Sequence, residues 1–531
     1  MSQESTSIAN LQEVKSHPQF QSILFGSVTT EVKFEPPQFF RDLNLDQVVA
    51  SMTGGRDEYS LAPFFYTLLD AWELVEHRQN VFRDLEDEET LTAIRSFGEK
   101  MRVMRGDLAL SEKLSYKRQK QAWFVEAVAA YGDALRDLTS ALERATLASA
   151  GLVLFREYIS AYTASPELAP LIAETRDLKR DLLGIRYSLH IHENRVEVAP
   201  YNSESDYGAD VLQTFEKFRQ NESHGYRFRV DTTLEMNHVE AAILDLVAQL
   251  YPQIFERLDT YCERHRNYLD SVIVRFDREV QFYIAVIEHT ERLRKSGVHF
   301  CLPTVSDRSK EVCARDVFDL ALANKLAAEN KRVVVNDFHL TGPERILVVT
   351  GPNQGGKTTF ARALGQLHYF AKIGCPVPGS EAKLFFCDQI FTHFEREEDI
   401  HNLTGKLEDD LLRIREILDS ATSRGILIMN ESFLSTTLSD ALFLSKEVMR
   451  KVINRDMMCV CVTFLDDLAS LDKSTVSMVS TVDPKDPAIR TFKLVRKPAD
   501  GLAYADALAH KYGLCYGDVK RRIAEPEKGR S

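Results

Sequence analysis

The feature that most constrains this chain is the loop Gly351-Pro352-Asn353-Gln354-Gly355-Gly356-Lys357-Thr358-Thr359, set between an apolar run, Ile346 to Thr350, and a helix-forming stretch from Phe360 onward. The order reads strand, glycine-rich turn, helix, and Gly351, Gly356, Lys357 and Thr358 satisfy the spacing G-x-x-x-x-G-K-[ST]. Each residue type has a physical task there. Gly355 and Gly356 let the backbone approach phosphate oxygens with no side chain in the way. Lys357 supplies a point charge to the β- and γ-phosphates, and Thr358 offers a hydroxyl to Mg²⁺. Unpaired N–H groups at the helix start complete a cradle for a triphosphate, so ATP and Mg²⁺ are the expected ligands of residues 351–359.

A length of 531 residues implies several domains, and 44% hydrophobic with 27% charged residues is an ordinary soluble composition. No run of about 18 apolar residues occurs, and Met1-Ser2-Gln3-Glu4-Ser5 lacks a basic-then-apolar secretory pattern, so a cytoplasmic protein without a membrane partner is expected. The eight cysteines are scattered, with no C-x-x-C and no His/Cys cluster at zinc spacing, which predicts reduced thiols and no structural metal. Cys459 and Cys461 share a face if their segment is a strand, as small buried hydrophobes. The net charge of −13 neither announces nor excludes a nucleic-acid binder, since a local basic stripe is enough for phosphate contacts.

Taken in order, residues 1–38 are expected to be a flexible tail, polar and rich in Ser and Gln at its start. Residues 39–302 form a helical region with apolar residues three and four apart in Leu61–Phe82, Glu89–Arg105, Leu108–Ala148 and Leu152–Tyr162. Lys113, Lys117, Arg118 and Lys120 make a basic cluster, open to reading as a solvated helix face or as a phosphate contact. Between 184 and 235 the period becomes alternating, in Tyr187–His192, Arg195–Val198 and Tyr226–Val230, and predicts a small β insertion. His190 and His192 would share a strand face there, without a third metal ligand nearby. Met236–Arg294 reads as two long helices broken near Pro252, a lever or a passive scaffold. From about 303 to 531, strand-like and helix-like runs alternate as in a doubly wound α/β domain, with strands at Val333–Val335, Ile346–Thr350, Ile390–Phe394, Gly425–Met429, Met458–Thr463 and Thr491–Val495.

A nucleotide site of this kind also needs an apolar strand ending in acids, one to help hold Mg²⁺ and one to activate water. Here Ile428-Met429 is followed by Asn430-Glu431. Glu431 is the natural general base. Asn430 can hold hydrated Mg²⁺ through its carbonyl but brings no negative charge, which predicts weaker Mg²⁺ organisation and slow turnover.

The set Thr350–Thr359, Lys372-Ile373-Gly374-Cys375-Pro376-Val377-Pro378, Asp388-Gln389-Ile390-Phe391-Thr392, and Asn430-Glu431 with Ser435-Thr436-Thr437 resembles the ATPase domain of the MutS mismatch-repair family. Val334-Val335-Asn336-Asp337 resembles that family's V-x-N-D entry, which adds Asn336 to the residues around the nucleotide. The resemblance implies an α + α/β chain, in which a long-helix lever and clamp region with a small β insertion precedes a P-loop (ABC-type) α/β ATPase domain. It also implies a homodimer through the ATPase domains, a DNA partner, and a role in mismatch repair or related DNA repair.

Departures from the family pattern qualify what is implied. The helical region starts by about residue 39, so the family's N-terminal mismatch-reading domain is expected to be missing, and Phe97-Gly98-Glu99 and Phe155-Arg156-Glu157 fit its Phe-x-Glu wedge only by chance. The family's Asp-Glu is Asn430-Glu431, its Thr-His pair is Thr463-Phe464, and its Ser-Thr-Phe segment falls near Leu403-Thr404-Gly405 without matching. The expected activity is slow ATP hydrolysis by a clamp on mismatched, branched or damaged DNA. The alternative is a nucleotide-gated protein-interaction module that has lost mismatch recognition and most hydrolysis.

Overall fold

The computed structural model describes residues 20–193, 195–203, 236–395, 405–486 and 489–499, with a few residues between 512 and 520. The chain is mixed helix and sheet. Helices α1 (Leu45–Thr53), α2 (Ala62–Tyr66) and α3 (Trp72–Asp84) come first, followed by α4 (Glu88–Lys113), α5 (Lys117–Arg144), α6 (Ala150–Thr163) and α7 (Leu168–Leu183). An antiparallel hairpin, β1 (Tyr187–His192) with β2 (Arg195–Pro200), interrupts them. Helices α8 (His238–Leu250), α9 (Pro252–Arg264) and α10 (Ser271–Arg294) follow. The remainder alternates: β3 (Phe300–Cys301), β4 (Thr304–Ser306), β5 (Val312–Val317), α11 (Leu320–Ala328), β6 (Asn336–Leu340), β7 (Ile346–Thr350), α12 (Lys357–Lys372), β8 (Val377–Pro378) and β9 (Glu381–Phe385). Then come β10 (Ile390–Phe394), α13 (Lys406–Ser420), β11 (Ile426–Asn430), α14 (Leu438–Asn454), β12 (Met458–Val462), β13 (Thr475–Val482) and β14 (Arg490–Arg496).

The chain divides into two compact units that do not follow the contiguous division expected at residue 303. Of the described residues, one holds Phe20 and those within 84–148 and 152–277, and the other holds those within 21–83, 149–151 and 278–531. The boundary therefore falls inside α10. Within the first unit α4 and α5 form the main helix pair, and Phe20, Phe97, Phe155 and Phe276 make an aromatic cluster. Phe97 and Phe155 are thus core residues. Lys117 and Arg118 of α5 pair with Asp259 at 2.9 and 2.7 Å, so half of the basic cluster that spans the end of α4 and the start of α5 is committed to an ion-paired helix face. The stretch 236–294 contains three helices, not two. Besides the break at Pro252, Asp270 ends a short connection and its carboxylate accepts from the N–H groups of Val272 and Ile273, the capping chemistry that starts a new helix. The expected strand at 226–230 lies outside the described residues.

In the second unit a six-stranded sheet has the order β10-β11-β12-β7-β13-β14, parallel except for β14 against β13. Strands β7, β11 and β12 are buried along their whole length, as parallel strands covered on both faces must be. Alternate residues divide between the faces. Ile346, Val348, Leu427, Met429, Cys459 and Cys461 point to one cluster with Ile414 and Leu418 of α13 and Val448 and Met449 of α14. Cys459 and Cys461 are free thiols, and burial pushes the Cys461 thiol up to about 12. Helix α12 covers the other face, and Gly365 sets its depth, since a Cβ there would lie 2.6 Å from Ile428 and from Leu43. A second sheet, β4-β9-β5-β6, carries Asn336 at the start of β6; the strand expected at 333–335 instead starts three residues later, at 336.

Residues before 39 are not all tail. Ile23 and Leu24 are fully buried, and Glu279 accepts from the Ser22 hydroxyl at 2.8 Å and the Ile23 N–H at 2.9 Å. Helix α12 is fastened to this N-terminal part of its unit. Arg362 donates to the Asp42 carbonyl (2.8 Å), Gln366 to Leu43 (2.9 Å), Tyr369 to Phe65 (2.6 Å) and Lys372 to Leu69 (3.1 Å). Arg78, fully buried, donates to the Ile373 carbonyl at 2.9 Å just past the helix end.

Two histidines in this unit are buried in their neutral form. His368 donates through Nδ1 to the Leu364 carbonyl while Nε2 has no partner, and burial lowers its pKa to about 4. Burial, reinforced by the Arg292 guanidinium, lowers His289 to about 3. Below pH 6.5 the unfolded chain takes up protons that these rings refuse when folded. Stability is therefore expected to be full above pH 6.5 and to fall from there toward pH 4, each histidine contributing at most about 1.4 kcal/mol per pH unit. Urea midpoints between pH 7.5 and 5 check this, and His368→Met should flatten the slope.

Candidate functional site

The glycine loop leaves the C-terminal end of β7, a central strand, which is where open parallel sheets place their crevice. Register brings the ends of four strands to one level: Asn430 lies opposite Val462, Val462 opposite Val349, and Val479 opposite Thr350. Gly356, at φ 89°, turns the chain into α12. The first-turn amides of such a helix lack intrahelical acceptors.

The loop is packed against β13, a strand the sequence reading missed. Gly351 has φ 114°, and a Cβ on it would lie 2.8 Å from the Ser480 carbonyl oxygen. A Cβ on Gly355 would lie 2.2 Å from Ser480 Oγ and 2.9 Å from the Pro352 carbonyl oxygen. The Ser480 hydroxyl donates to the Gly355 carbonyl at 2.6 Å. These two glycines are thus required by the approach of a neighbouring strand as well as by any ligand.

The Lys357 ammonium is buried and donates to the carbonyls of Gly351 (3.0 Å) and Pro352 (3.2 Å) and to Asn353 Oδ1 (3.2 Å). Burial lowers its pKa, Glu431 opposes that by attraction, and Arg490 adds to it by repulsion. Thr358 donates from Oγ1 to Asn430 Oδ1 at 2.8 Å, which joins the helix start to the end of β11. Glu431 follows in the left-handed region at φ 52°, its N–H donating to the Val462 carbonyl at 2.9 Å.

A cavity of about 820 Å³ opens beside these groups, within the size range of small-molecule sites. Asn353 through Phe360 and Glu431 line one side; Val317, Phe318, Leu322, Leu326, Val334 and Phe492 give it an apolar wall, with Lys331 and Arg332 at the same cavity. Of the residues singled out in the sequence, Asn353 to Thr359, Asn336 and Glu431 line it; Asn430 reaches the group through Thr358, and Gly351 and Pro352 through Lys357. Asn336 differs in its use. Its amide accepts from the Leu494 N–H at 2.8 Å and donates to the Phe492 carbonyl at 3.2 Å, so it ties β6 to β14 and holds Phe492 at the wall. Phe464 is half-exposed and is not among the lining residues, while Thr463 is buried and accepts from the Leu465 N–H at 3.0 Å. Thr404 lies outside the described residues. Sequence reading missed Ser480, Arg490, whose Nε donates to the Asn353 carbonyl at 3.2 Å, and Phe492. Among the described residues there is no cluster of metal-binding side chains and no helix long and apolar enough to cross a membrane.

Residues 347–506 match the family model of MutS domain V. The chain is 24% identical over 297 residues to the DNA mismatch repair protein MutS of Caldanaerobacter subterraneus subsp. tengcongensis, covering 53% of this chain and 31% of that protein. Residues 347–506 carry a MutS domain V, and the similarity to MutS proteins extends beyond it. The DNA mismatch repair protein MutS of Listeria monocytogenes serovar 1/2a is 25% identical over 392 residues, 69% of this chain and 43% of its own length. The DNA mismatch repair protein MSH3 of Eremothecium gossypii is 30% identical over 141 residues, 26% of this chain and 14% of its own length. The chain thus spans less than half the length of the MutS relatives it matches. The domain V match runs from Leu347 in β7 through β14, so it includes the glycine loop and Glu431, while Val317 of β5 and Asn336 of β6 line the cavity from outside it.

Gly355→Ala is expected to destabilise the second unit by about 1–3 kcal/mol, because the new methyl overlaps Ser480 Oγ in a packed core. Adding Ser480→Ala should recover part of the loss, measured as the denaturant midpoint of single and double variants.

Proposed function

We propose that this MutS-like chain binds ATP with Mg²⁺ and hydrolyses it slowly, and that it acts as a dimeric, nucleotide-controlled clamp on mismatched, branched or damaged DNA. The observation that carries the reading is the meeting of a P-loop, a buried lysine and a carboxylate at one cavity. Lys357 sits where it can exchange its three loop oxygens for phosphate oxygens, and the loop amides orient the triphosphate. The apolar wall with Phe492 suits a base. The donor set of Thr358 hydroxyl and Asn430 carbonyl oxygen, 2.8 Å apart, fits a divalent cation held through water. Bound there, Mg²⁺ would neutralise phosphate charge; Asn430 adds none, which supports slow turnover. Glu431 is the group to accept the proton of an attacking water.

Lys357→Ala is expected to abolish ATP binding in calorimetry. Glu431→Gln should keep binding but lower the hydrolysis rate on the order of 10²-fold, and an unchanged rate would remove Glu431 as the base. Asn430→Asp should raise turnover if cation placement limits it.

The second reading is a nucleotide-gated interaction module that no longer acts on DNA. The net charge of −13 and the pairing of Lys117 and Arg118 with Asp259 favour it. Electrophoretic shifts with mismatched, branched and plain duplex, with and without ATP and over a salt series, separate the two. The clamp reading expects salt-sensitive, ATP-dependent retention, and no retention in any condition would leave the second. A homodimer joined through the ATPase domains is expected in either case, in keeping with the family, and light scattering with and without ATP tests it.

A further inference from the structure

The turn after β11 is held in an unfavourable backbone conformation. Glu431 and Phe433 lie at φ 52° and 64°, where side-chain-bearing residues are uncommon and persist only when neighbours over-determine them. Phe433 is fully buried and the Glu431 N–H is fixed on Val462. Between them Ser432 needs its own hold, and the structure provides one: its Oγ lies 2.8 Å from Nδ1 of His393. His393 is fully buried on β10, in register with Met429 of β11, and its ring lies 5.9 Å from the ring of Phe433.

The direction of the hydrogen bonds follows from the other side of the ring. Nε2 lies 3.2 Å from the Asp410 carbonyl oxygen, which can only accept, so Nε2 carries the proton. In the Nε2-protonated tautomer Nδ1 is the acceptor, and the Ser432 hydroxyl donates to it. The chain of contacts runs from α13 through His393 to the residue next to Glu431. Neither His393 nor Ser432 lines the cavity, yet Glu431 does.

We propose that His393 is a positioning residue: by accepting the Ser432 hydroxyl hydrogen it fixes the turn that aims the Glu431 carboxylate into the cavity. The proposal rests on the reading of this site as an ATPase. A ring that only filled the core would change stability and leave the turnover of folded protein alone. A ring that positions Glu431 changes kcat and spares nucleotide binding, because the glycine loop and Lys357 are held by other contacts.

The test is steady-state ATP hydrolysis and calorimetric ATP affinity of the full chain as wild type, S432A, H393N, H393A and the S432A/H393A pair, with thermal melts to establish folding. S432A is expected to lower kcat about ten-fold with KM and Kd within about two-fold, and the pair to be no slower than the worse single variant, since one hydrogen bond joins them. H393N, whose amide oxygen can take the serine hydrogen, should retain more activity than H393A. Should H393A fail to fold, S432A and H393N carry the test. An unchanged kcat in S432A, additive losses in the pair, or a loss confined to KM and Kd overturns the positioning role while leaving the ATPase reading in place. Absence of turnover in the wild type, with ATP bound, overturns the ATPase reading and this proposal together.

Discussion

The second unit depends on how a nearly fully buried helix disposes of its polar side chains. Helix α12 covers one face of the central sheet, and a buried polar group without a partner is costly. Arg362, Gln366, Tyr369 and Lys372 each end on a backbone carbonyl of residues 42–69, and Arg78 meets the helix from the other direction at Ile373. These bonds satisfy both partners at once. They explain why residues 21–83, more than two hundred positions upstream, belong to the same compact unit as the glycine loop. These particular fastenings lie on the flank and at the far end of the helix, while its first turn is tied by Thr358 to Asn430 and faces the cavity.

Around the loop, close backbone approach matters as much as charge. Ser480 occupies the space that side chains on Gly351 and Gly355 would need, and its hydroxyl closes on the Gly355 carbonyl. The cradle proposed for phosphate is therefore built by a strand on one side and a helix start on the other. The end of β11 fits the same picture: Asn430 accepts from Thr358 and makes a neutral link between strand and helix, while Glu431, with Asp319, supplies a carboxylate at the cavity.

Much of this was legible in the sequence. The apolar runs of β7, β11 and β12 announce themselves because full burial leaves a plain pattern of residues, while β10, β14 and the hairpin β1–β2 show through strand-forming residue types although β1, β2 and β14 are largely exposed or only partly buried. Strand β13 did not, since Thr475-Val476-Ser477-Met478-Val479-Ser480 mixes hydroxyls into a buried strand, and its Ser480 is buried for contact with a glycine loop, not for hydrophobicity. Asn336 was found as a site residue, but only tertiary pairing reveals that its amide is spent on the backbone of β14. The membership of Ile23 and Leu24 in a core was hidden by the polar residues before them and by the distance to Glu279. His393 carried no signal at all, as a lone histidine on a strand is defined by what lies across from it.

The interleaving of the two units bears on how the chain is made. Phe65 gives its carbonyl to Tyr369, which is synthesised 304 residues later. At roughly 5–20 residues per second, the apolar faces around Phe39, Phe40 and Phe65 wait on the order of 15–60 s after leaving the ribosome before their covering helix exists. The intervening unit, residues 84–277, is complete well before then. A chain arrested between residues 84 and 277 would lack both Phe282, which packs on Phe65, and Tyr369, which packs on Phe39 and Phe40.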